Sequence, residues 1–164
     1  MKIIKLTQGK GAIVDDDCYE RLSKYNWQYT YYGYASRGAF KEELASGSPS
    51  NILMHRELMN APNGVDVDHI NGDRLDNRLE NLRLCSRKEN LRNTMKRMNT
   101  KKGVASSKYK GIYWAKDRNK WRATIRFNGK NYHIGTFEDE LEAAKAYNEY
   151  AEKHFGDFAR INEI

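Results

Sequence analysis

Cysteine and proline are nearly missing from this chain, with two of each among 164 residues, and no long apolar run occurs anywhere. Cys18 and Cys85 are too few for a disulfide framework and lie far from the paired spacing of a structural zinc site, so both read as reduced, partly buried thiols. The scarcity of proline, the absence of low-complexity runs and contents of 39% hydrophobic and 31% charged residues exclude a disordered or fibrous polymer. No stretch approaches the roughly 20 apolar residues of a membrane span. The opening MKIIKLTQGKGAIVDDD breaks its apolar runs at Gln8, Gly9 and Lys10, unlike a secretory signal, so a cytoplasmic protein without membrane contact is expected. The length suits one ordinary domain or two small ones with modest cores.

Acidic residues are scarce in one region only. Between Arg83 and Lys130 only Glu89 and Asp117 are acidic against 16 Lys or Arg, a local balance of +14, which leaves the rest of the chain at −7 within a net charge of +7. A basic block between acidic segments points to a polyanionic partner. A solvated basic face remains the plain alternative on charge alone.

Along the chain, residues 3–14 read as a hairpin turning at Gly9-Lys10-Gly11, followed by a short helix through Tyr25 capped by Asp16 or Asp17. WQYTYYGYASRGAF carries the aromatics of one or two strands, and residues 46–50 form a loop by composition. NILMHRELMNAPNG is a short amphipathic segment ended by Pro62 and Gly64. In the stretch that follows, Asn71-Gly72-Asp73 marks a turn, Leu82–Cys85 a strand, and Ser86 with Glu89 a capping box that opens a helix. Residues 95–107 lack periodicity and read as a basic linker that tracks phosphates. After it come three strands, YKGIYWA, WRATIRFN and NYHIGTF, with turns at Asp117-Arg118-Asn119 and Asn128-Gly129-Lys130, then a helix from Asp139 to Phe155 that stops at Gly156. In the middle strand Trp121, Ala123, Ile125 and Phe127 alternate with Arg122, Thr124 and Arg126, giving one apolar face and one polar, basic face. The helix offers an apolar stripe of Leu141, Ala144, Tyr147, Ala151 and Phe155 to cover the first of these.

Asp68 and His69 are adjacent in VDVDHINGD, Asn81 lies twelve residues after His69, and Asn90 nine residues further on, in the helix opened by Ser86. Hydrolysis of a phosphodiester needs a base to deprotonate water, a hard cation at the phosphoryl group, and protein groups to hold both. A neutral histidine supplies the base near pH 7, and an aspartate with an asparagine suits Mg²⁺ or Mn²⁺. The residues Asp68-His69-Ile70-Asn71-Gly72-Asp73, Asn77-Arg78-Leu79-Glu80-Asn81-Leu82 and Glu89-Asn90 resemble the HNH endonuclease family in its phage and intron-associated branch, and Met54-His55-Arg56 matches a short upstream motif of that family. The resemblance implies that His69 is the general base, that Asp68 and Asn90 ligate one divalent ion, and that Asn81 orients His69 through a hydrogen bond. Asn90 stands where histidine is frequent in the family, which makes Asn93 a rival ligand. His55 is a candidate for active-site support, packing being its commoner role, and Arg87 and Arg92 could hold the scissile strand.

From Tyr109 onward, Tyr109-Lys110-Gly111-Ile112, Lys120-Trp121, Ile125-Arg126, Gly135-Thr136-Phe137, the run from Ala143 to Tyr147 and Asn162 resemble the plant ethylene-response-factor type of DNA-binding domain. That family lays its three-stranded sheet in the DNA major groove. The resemblance implies groove-facing roles for Lys110, Tyr113, Arg122, Thr124, Arg126 and His133, and phosphate contacts for Lys116, Lys120 and Lys130. Thr124 and His133 depart from the plant residues, so no base preference carries over.

The expectation is an α+β protein: a ββα-metal HNH nuclease unit over residues 1–94 with its core at 51–94, a basic linker over 95–106, and a DNA-binding domain over 107–164 in which a three-stranded antiparallel sheet packs on one helix. Double-stranded DNA is the expected partner, with no obligatory protein partner, and the family branch implies a phage-encoded protein in a bacterial host. A DNA-binding regulator with a silent nuclease fold is the alternative.

Overall fold

A computed structural model describes residues 1–96, 98–100 and 103–164, with backbone alone for 99, 100, 103 and 104. Arg97, Lys101 and Lys102 of the expected linker lie outside the described residues. The chain is a mixed α+β protein that divides into two compact units, Met1–Asn90 and Leu91–Ile164.

The first unit opens with β1 (Lys2–Lys5) and β2 (Gly11–Val14), paired antiparallel as the alternating apolar residues require. Their connection turns at Gln8 and Gly9, both with positive φ, one step earlier than the glycine pattern suggests. α1 (Asp16–Leu22) follows. It begins after Asp15 rather than at a capping Asp16 or Asp17 and ends three residues short of Tyr25, where the Trp27 indole donates to the Leu22 carbonyl. β3 (Gln28–Tyr29) and β4 (Ala35–Gly38) form the expected aromatic hairpin. α2 (Lys41–Ala45) lies between this hairpin and the expected 46–50 loop and precedes β5 (Asn51–Leu53), which pairs on the far side of β4. The amphipathic segment folds as β5 and α3 (Met54–Leu58), with Met54 fully buried.

β6 (Asp66–His69) and β7 (Leu82–Cys85) then pair antiparallel, Asp68 opposite Arg83 and His69 opposite Leu82, and α4 (Arg87–Arg92) follows. The capping box forms as read: the Ser86 amide donates to Glu89 at 2.8 Å and the Glu89 amide donates to the Ser86 hydroxyl at 3.3 Å. A core of Ile4, Leu6, Ala12, Val14, Leu22, Trp27, Ala35 and Met54 binds the first hairpin to α1, β4 and α3. Each fully buried side chain of this kind contributes on the order of 1.5–3 kcal/mol.

The second unit holds a short pair, β8 (Asn99–Thr100) and β9 (Gly103–Val104), then β10 (Ile112–Ala115), β11 (Lys120–Phe127) and β12 (Lys130–Phe137) in an antiparallel sheet, and α5 (Glu140–Phe155). Asn128 and Gly129 both have positive φ, as a two-residue hairpin requires. Asp139 caps α5 by accepting from the amides of Leu141 and Glu142, and the helix ends at Gly156 with φ 52°. Its stripe of Ala143, Ala144, Tyr147, Ala151 and Phe155 packs on Tyr109, Ile112, Ala123 and Ile125. Ala143 joins this stripe, whereas Leu141 is exposed. A Cβ on Gly111, whose φ is +79°, would stand 2.3 Å from the Tyr147 ring and 2.6 Å from the Thr124 carbonyl, so glycine is required there. Asn162 closes the unit: its side chain accepts from the Lys110 amide and donates to the Lys110 carbonyl, and its amide donates to Asn148.

Candidate active site and nucleic-acid face

The alternation of β6 puts Asp66 and Asp68 on one face and Val67 and His69 on the other. On the first face, Asp68 is buried and its Oδ2 accepts two bonds from Arg83, at 2.9 and 2.7 Å. Two residues away, Asp66 Oδ2 accepts from Asn90 Nδ2 at 2.8 Å and from Arg87 at 3.1 Å. The Asn90 bond, with help from Arg87 and against partial burial, holds the Asp66 carboxyl below its ordinary pKa. α4 therefore delivers Asn90 to the strand of the aspartates, but onto Asp66, which sequence reasoning passed over. The signal was present in the two-residue spacing of the aspartates within one strand.

On the other face, His69 is buried and its Nε2 lies 3.4 Å from Asn77 Oδ1. Burial pushes its pKa below the ordinary histidine value, against the opposing pull of the Asn77 bond and of Asp68, Asp73 and Asp76, so the ring is neutral near pH 7. The expected orienting contact from Asn81 takes a different form. Asn81 Nδ2 donates to Asn71 Oδ1 and to the Asp76 carbonyl, and its Oδ1 accepts from the Asn71 amide, so it fixes the 71–76 loop. The Ile70 amide donates to the Asn81 carbonyl and the Gly72 amide to the His69 carbonyl, so the backbone about His69 is pinned on both sides. Arg78 grips Asp76 with two bonds, at 2.8 and 2.7 Å, and this pairing lowers the Asp76 pKa.

His55 joins this face. Its ring centroid is 5.0 Å from that of His69, edge to face, and 5.0 Å from Tyr34, whose centroid is 6.0 Å from His69. Burial, then the neighbouring His69 and Arg56, lowers its pKa to about 3, so it is neutral across the physiological range. Two of the buried side-chain atoms without a hydrogen-bond partner are His55 Nδ1 and Asn77 Nδ2, both on residues that touch His69. Such atoms carry a desolvation cost of about 1–3 kcal/mol each, and a fold that keeps them calls for a reason.

The front end of the chain, which the family resemblance covers loosely, acts as scaffold for this site. The Ile13 amide donates to the Leu75 carbonyl, the Asn77 amide donates to the Ile13 carbonyl, and the Leu79 amide donates to Asp15. Two bonds of β2 and one of Asp15 therefore position the segment that carries Asp76 and Asn77.

In the second unit the register puts Tyr113, Arg122 and Thr136 in one row across the sheet, Thr124 beside His133, and Arg126 beside Asn131, all on the face opposite the α5 core. A bulge at Ile134 returns that side chain to the core. Arg122 donates to the Tyr113 hydroxyl at 3.4 Å. Lys116 and Lys130 are exposed near the strand ends, and Lys120 pairs with Glu138 at 2.7 Å. Two expected contacts fall elsewhere. Lys110 donates its ammonium to the Arg92 carbonyl, and burial lowers its pKa to about 8. Arg92 lies 4.8 Å from the Phe155 ring centroid, a packing role the charge pattern could not distinguish from strand binding. In the linker segment Lys96 donates to the carbonyls of Tyr109 and Ile112. Asn93, the rival ligand, is buried and belongs by its packing to the second unit.

Residues 60–92 match the HNH endonuclease family profile. The chain is 31% identical over 167 residues to an uncharacterized HNH endonuclease of Acanthamoeba polyphaga mimivirus, a match covering 97% of this chain and 79% of the relative. It is also 41% identical over 101 residues to Protein 3.8 of Escherichia phage T7, covering 61% of this chain and 78% of the relative. No solved structure matches. The chain belongs to the HNH endonuclease family and is a nuclease, with viral relatives.

Proposed function

We propose that this protein is a metal-dependent endonuclease that hydrolyses phosphodiester bonds in double-stranded DNA, with a ββα-metal centre in residues 1–94 and site selection by residues 107–164 across the 95–106 linker. The observation that carries the reading is the convergence of β6, β7 and α4, which pairs Asp68 with Arg83 and Asp66 with Asn90 and sets a buried, neutral His69 on the adjoining face. His69 serves as general base. An Nε2–H donated to Asn77 Oδ1 makes Nδ1 the basic nitrogen of the ring. Asn77 orients the ring directly, Asn81 holds the loop that frames it, and His55 supports it from the side.

The donor set fits one hard divalent cation, Mg²⁺ or Mn²⁺. Asp66 and Asp68 stand on one strand face with Asn90 bonded to the first, and the Asp68 carboxylate is already arranged for a cationic partner, now Arg83. Asp68 and Asn90 would hold the ion, and Asp66 orients Asn90. When bound, such an ion supplies charge stabilisation at the phosphoryl and leaving oxygens. Arg83 and Arg87, placed beside the carboxylates, are suited to the phosphates of the scissile strand.

The second unit supports the reading through its row of exposed Tyr113, Arg126 and His133 with half-buried Arg122 and Thr124, which suits the major groove, with Lys116, Lys120 and Lys130 suited to phosphates. The likeness to the ethylene-response-factor domain agrees with a three-stranded sheet covered on one side by a single helix.

The test is conversion of supercoiled plasmid DNA to nicked or linear form with Mg²⁺, Mn²⁺ or chelator, comparing the natural protein with His69→Ala. Metal-dependent cutting that falls by about 10²–10⁴-fold in the variant is expected for loss of a general base. DNA binding without cutting by either protein would favour the regulator with a silent nuclease fold.

A further inference from the structure

The turn between β3 and β4 carries two adjacent tyrosines that contribute little to any core. Tyr31 is 96% exposed and Tyr32 is 70% exposed, with their rings 5.4 Å apart edge to face. The turn that presents them is tightly built. The Thr30 amide donates to the Tyr34 carbonyl at 2.9 Å, the Gly33 amide donates back to the Thr30 carbonyl at 2.9 Å, and the Tyr34 amide donates to the Thr30 hydroxyl at 2.9 Å. Two large rings are thus held out in water on a backbone with few remaining freedoms, which lowers the entropy cost of binding something flat.

Their position gives them a partner. Arg74, on the loop that follows His69, donates to the Tyr32 carbonyl at 2.6 Å and sets its guanidinium 4.8 Å from the Tyr34 ring centroid. Tyr34 packs against His55 and His69. From Tyr34 to Tyr32 the chain spans at most about 7 Å, and the Tyr34 ring centroid lies 6.0 Å from that of His69. The two exposed rings are thus tied to the centre through Tyr34 and Arg74, in the same unit as His69. Two rings are far too small an area for a protein interface of roughly 800 Å² per partner, whereas one ring is enough to stack a base of any sequence. Exposed Arg74 beside them complements the phosphates.

We infer that the Tyr31-Tyr32 turn is a base-stacking element of the nuclease centre, gripping the DNA strand that is delivered to His69. The inference rests on the nuclease reading above.

The test compares the natural chain with Y31S/Y32S and Y31F/Y32F in three measurements: melting temperature, kcat and KM for nicking supercoiled plasmid, and affinity for labelled duplex and single-stranded oligonucleotides by fluorescence anisotropy. The serine variant should melt with the natural protein, raise KM and weaken affinity by at least about fivefold, the lower end for loss of one stacked base, and change kcat less. The phenylalanine variant should behave as the natural chain, because it keeps the rings. Natural KM and affinity in the serine variant would overturn the stacking element while leaving the nuclease reading intact. A phenylalanine variant as impaired as the serine variant would overturn it too, by assigning the effect to the hydroxyls. If the natural chain binds but does not cut, while the serine variant still loses affinity, the nuclease reading fails and the stacking surface stands.

Discussion

Both units have an apolar core, but the first buries more polar and charged residues than the second. The first encloses Arg37, His55, Asp68, His69, Asp76, Asn77 and Asn81, while the second covers α5 and its sheet with Tyr109, Ile112, Ala123, Ile125, Tyr147 and Phe155 and turns Arg122, Thr124 and Arg126 away from that core. Buried polar groups are costly unless hydrogen-bonded, and the first unit meets much of the cost with hydrogen-bond networks while leaving His55 Nδ1 and Asn77 Nδ2 beside His69 without a partner. A cleaving centre benefits from that arrangement, because charges and bases act more strongly where water is excluded. A surface that holds DNA by phosphate contacts needs the reverse, with cations free to replace counterions. On the proposed function, the contrast separates a unit shaped for chemistry from one shaped for recognition.

The sharpest way to break the contrast is Asp68→Asn, which removes the charge of a candidate ligand and leaves Arg83 without its ion pair. Plasmid nicking should fall by about two orders of magnitude or more, comparable to losing a group that acts on the transition state. Oligonucleotide affinity measured in chelator should change little. Equal loss in both would place Asp68 in binding rather than catalysis.

Gly111→Ala probes the second unit's core. The positive φ and the collision with Tyr147 and the Thr124 carbonyl predict a destabilisation of about 1–3 kcal/mol, read as a lower melting temperature, with a natural kcat at temperatures where the protein stays folded. Asn162→Ala should cost less, about 1–2 kcal/mol, for the bonds it makes to Lys110.

The recognition face is sharpened by Arg122→Ala with Arg126→Ala. If both reach phosphates, the slope of log affinity against log salt should fall by about 2. If they read bases instead, the slope holds while discrimination between sequences relaxes.

A smaller effect concerns pH. His55 titrates near 6.5 when unfolded and near 3 when folded, so the unfolded chain binds the extra proton between those values. Stability is intact above about 6.5 and should decline as pH falls toward 3. Asp66 and Asp76, held below the ordinary aspartate value of 3.8, lose their contribution only below that value. Melting temperatures between pH 6.5 and 4 should fall less steeply in His55→Gln than in the natural protein, and equal slopes would show that His55 is not the buried neutral group described.

Much of the local structure was legible because its causes are local. The capping box at Ser86, the Asn128-Gly129 turn, the alternation of β11 and the halt at Gly156 each follow from a few neighbouring residues. The distant pairings were not legible. Nothing in the order of residues indicates that Asp15 and Ile13 hold the segment around Asn77, that Asn90 meets Asp66, or that Lys96, Lys110 and Arg92 place their charges on carbonyls and rings, because charge counts the same whether a side chain faces solvent or a helix end.

By itself the sequence determined the kind of chemistry: an Asp-His pair, two asparagines at fixed spacing, a basic block and two turn-rich sheets. Tertiary structure decided which atoms meet. It set His69 against Asn77 and His55, gave Asn81 to the loop, and held Tyr31 and Tyr32 out in water on the turn between β3 and β4. Residue type and spacing limit what a side chain can do, but burial and contacts between residues far apart in the chain arise only when the whole unit closes.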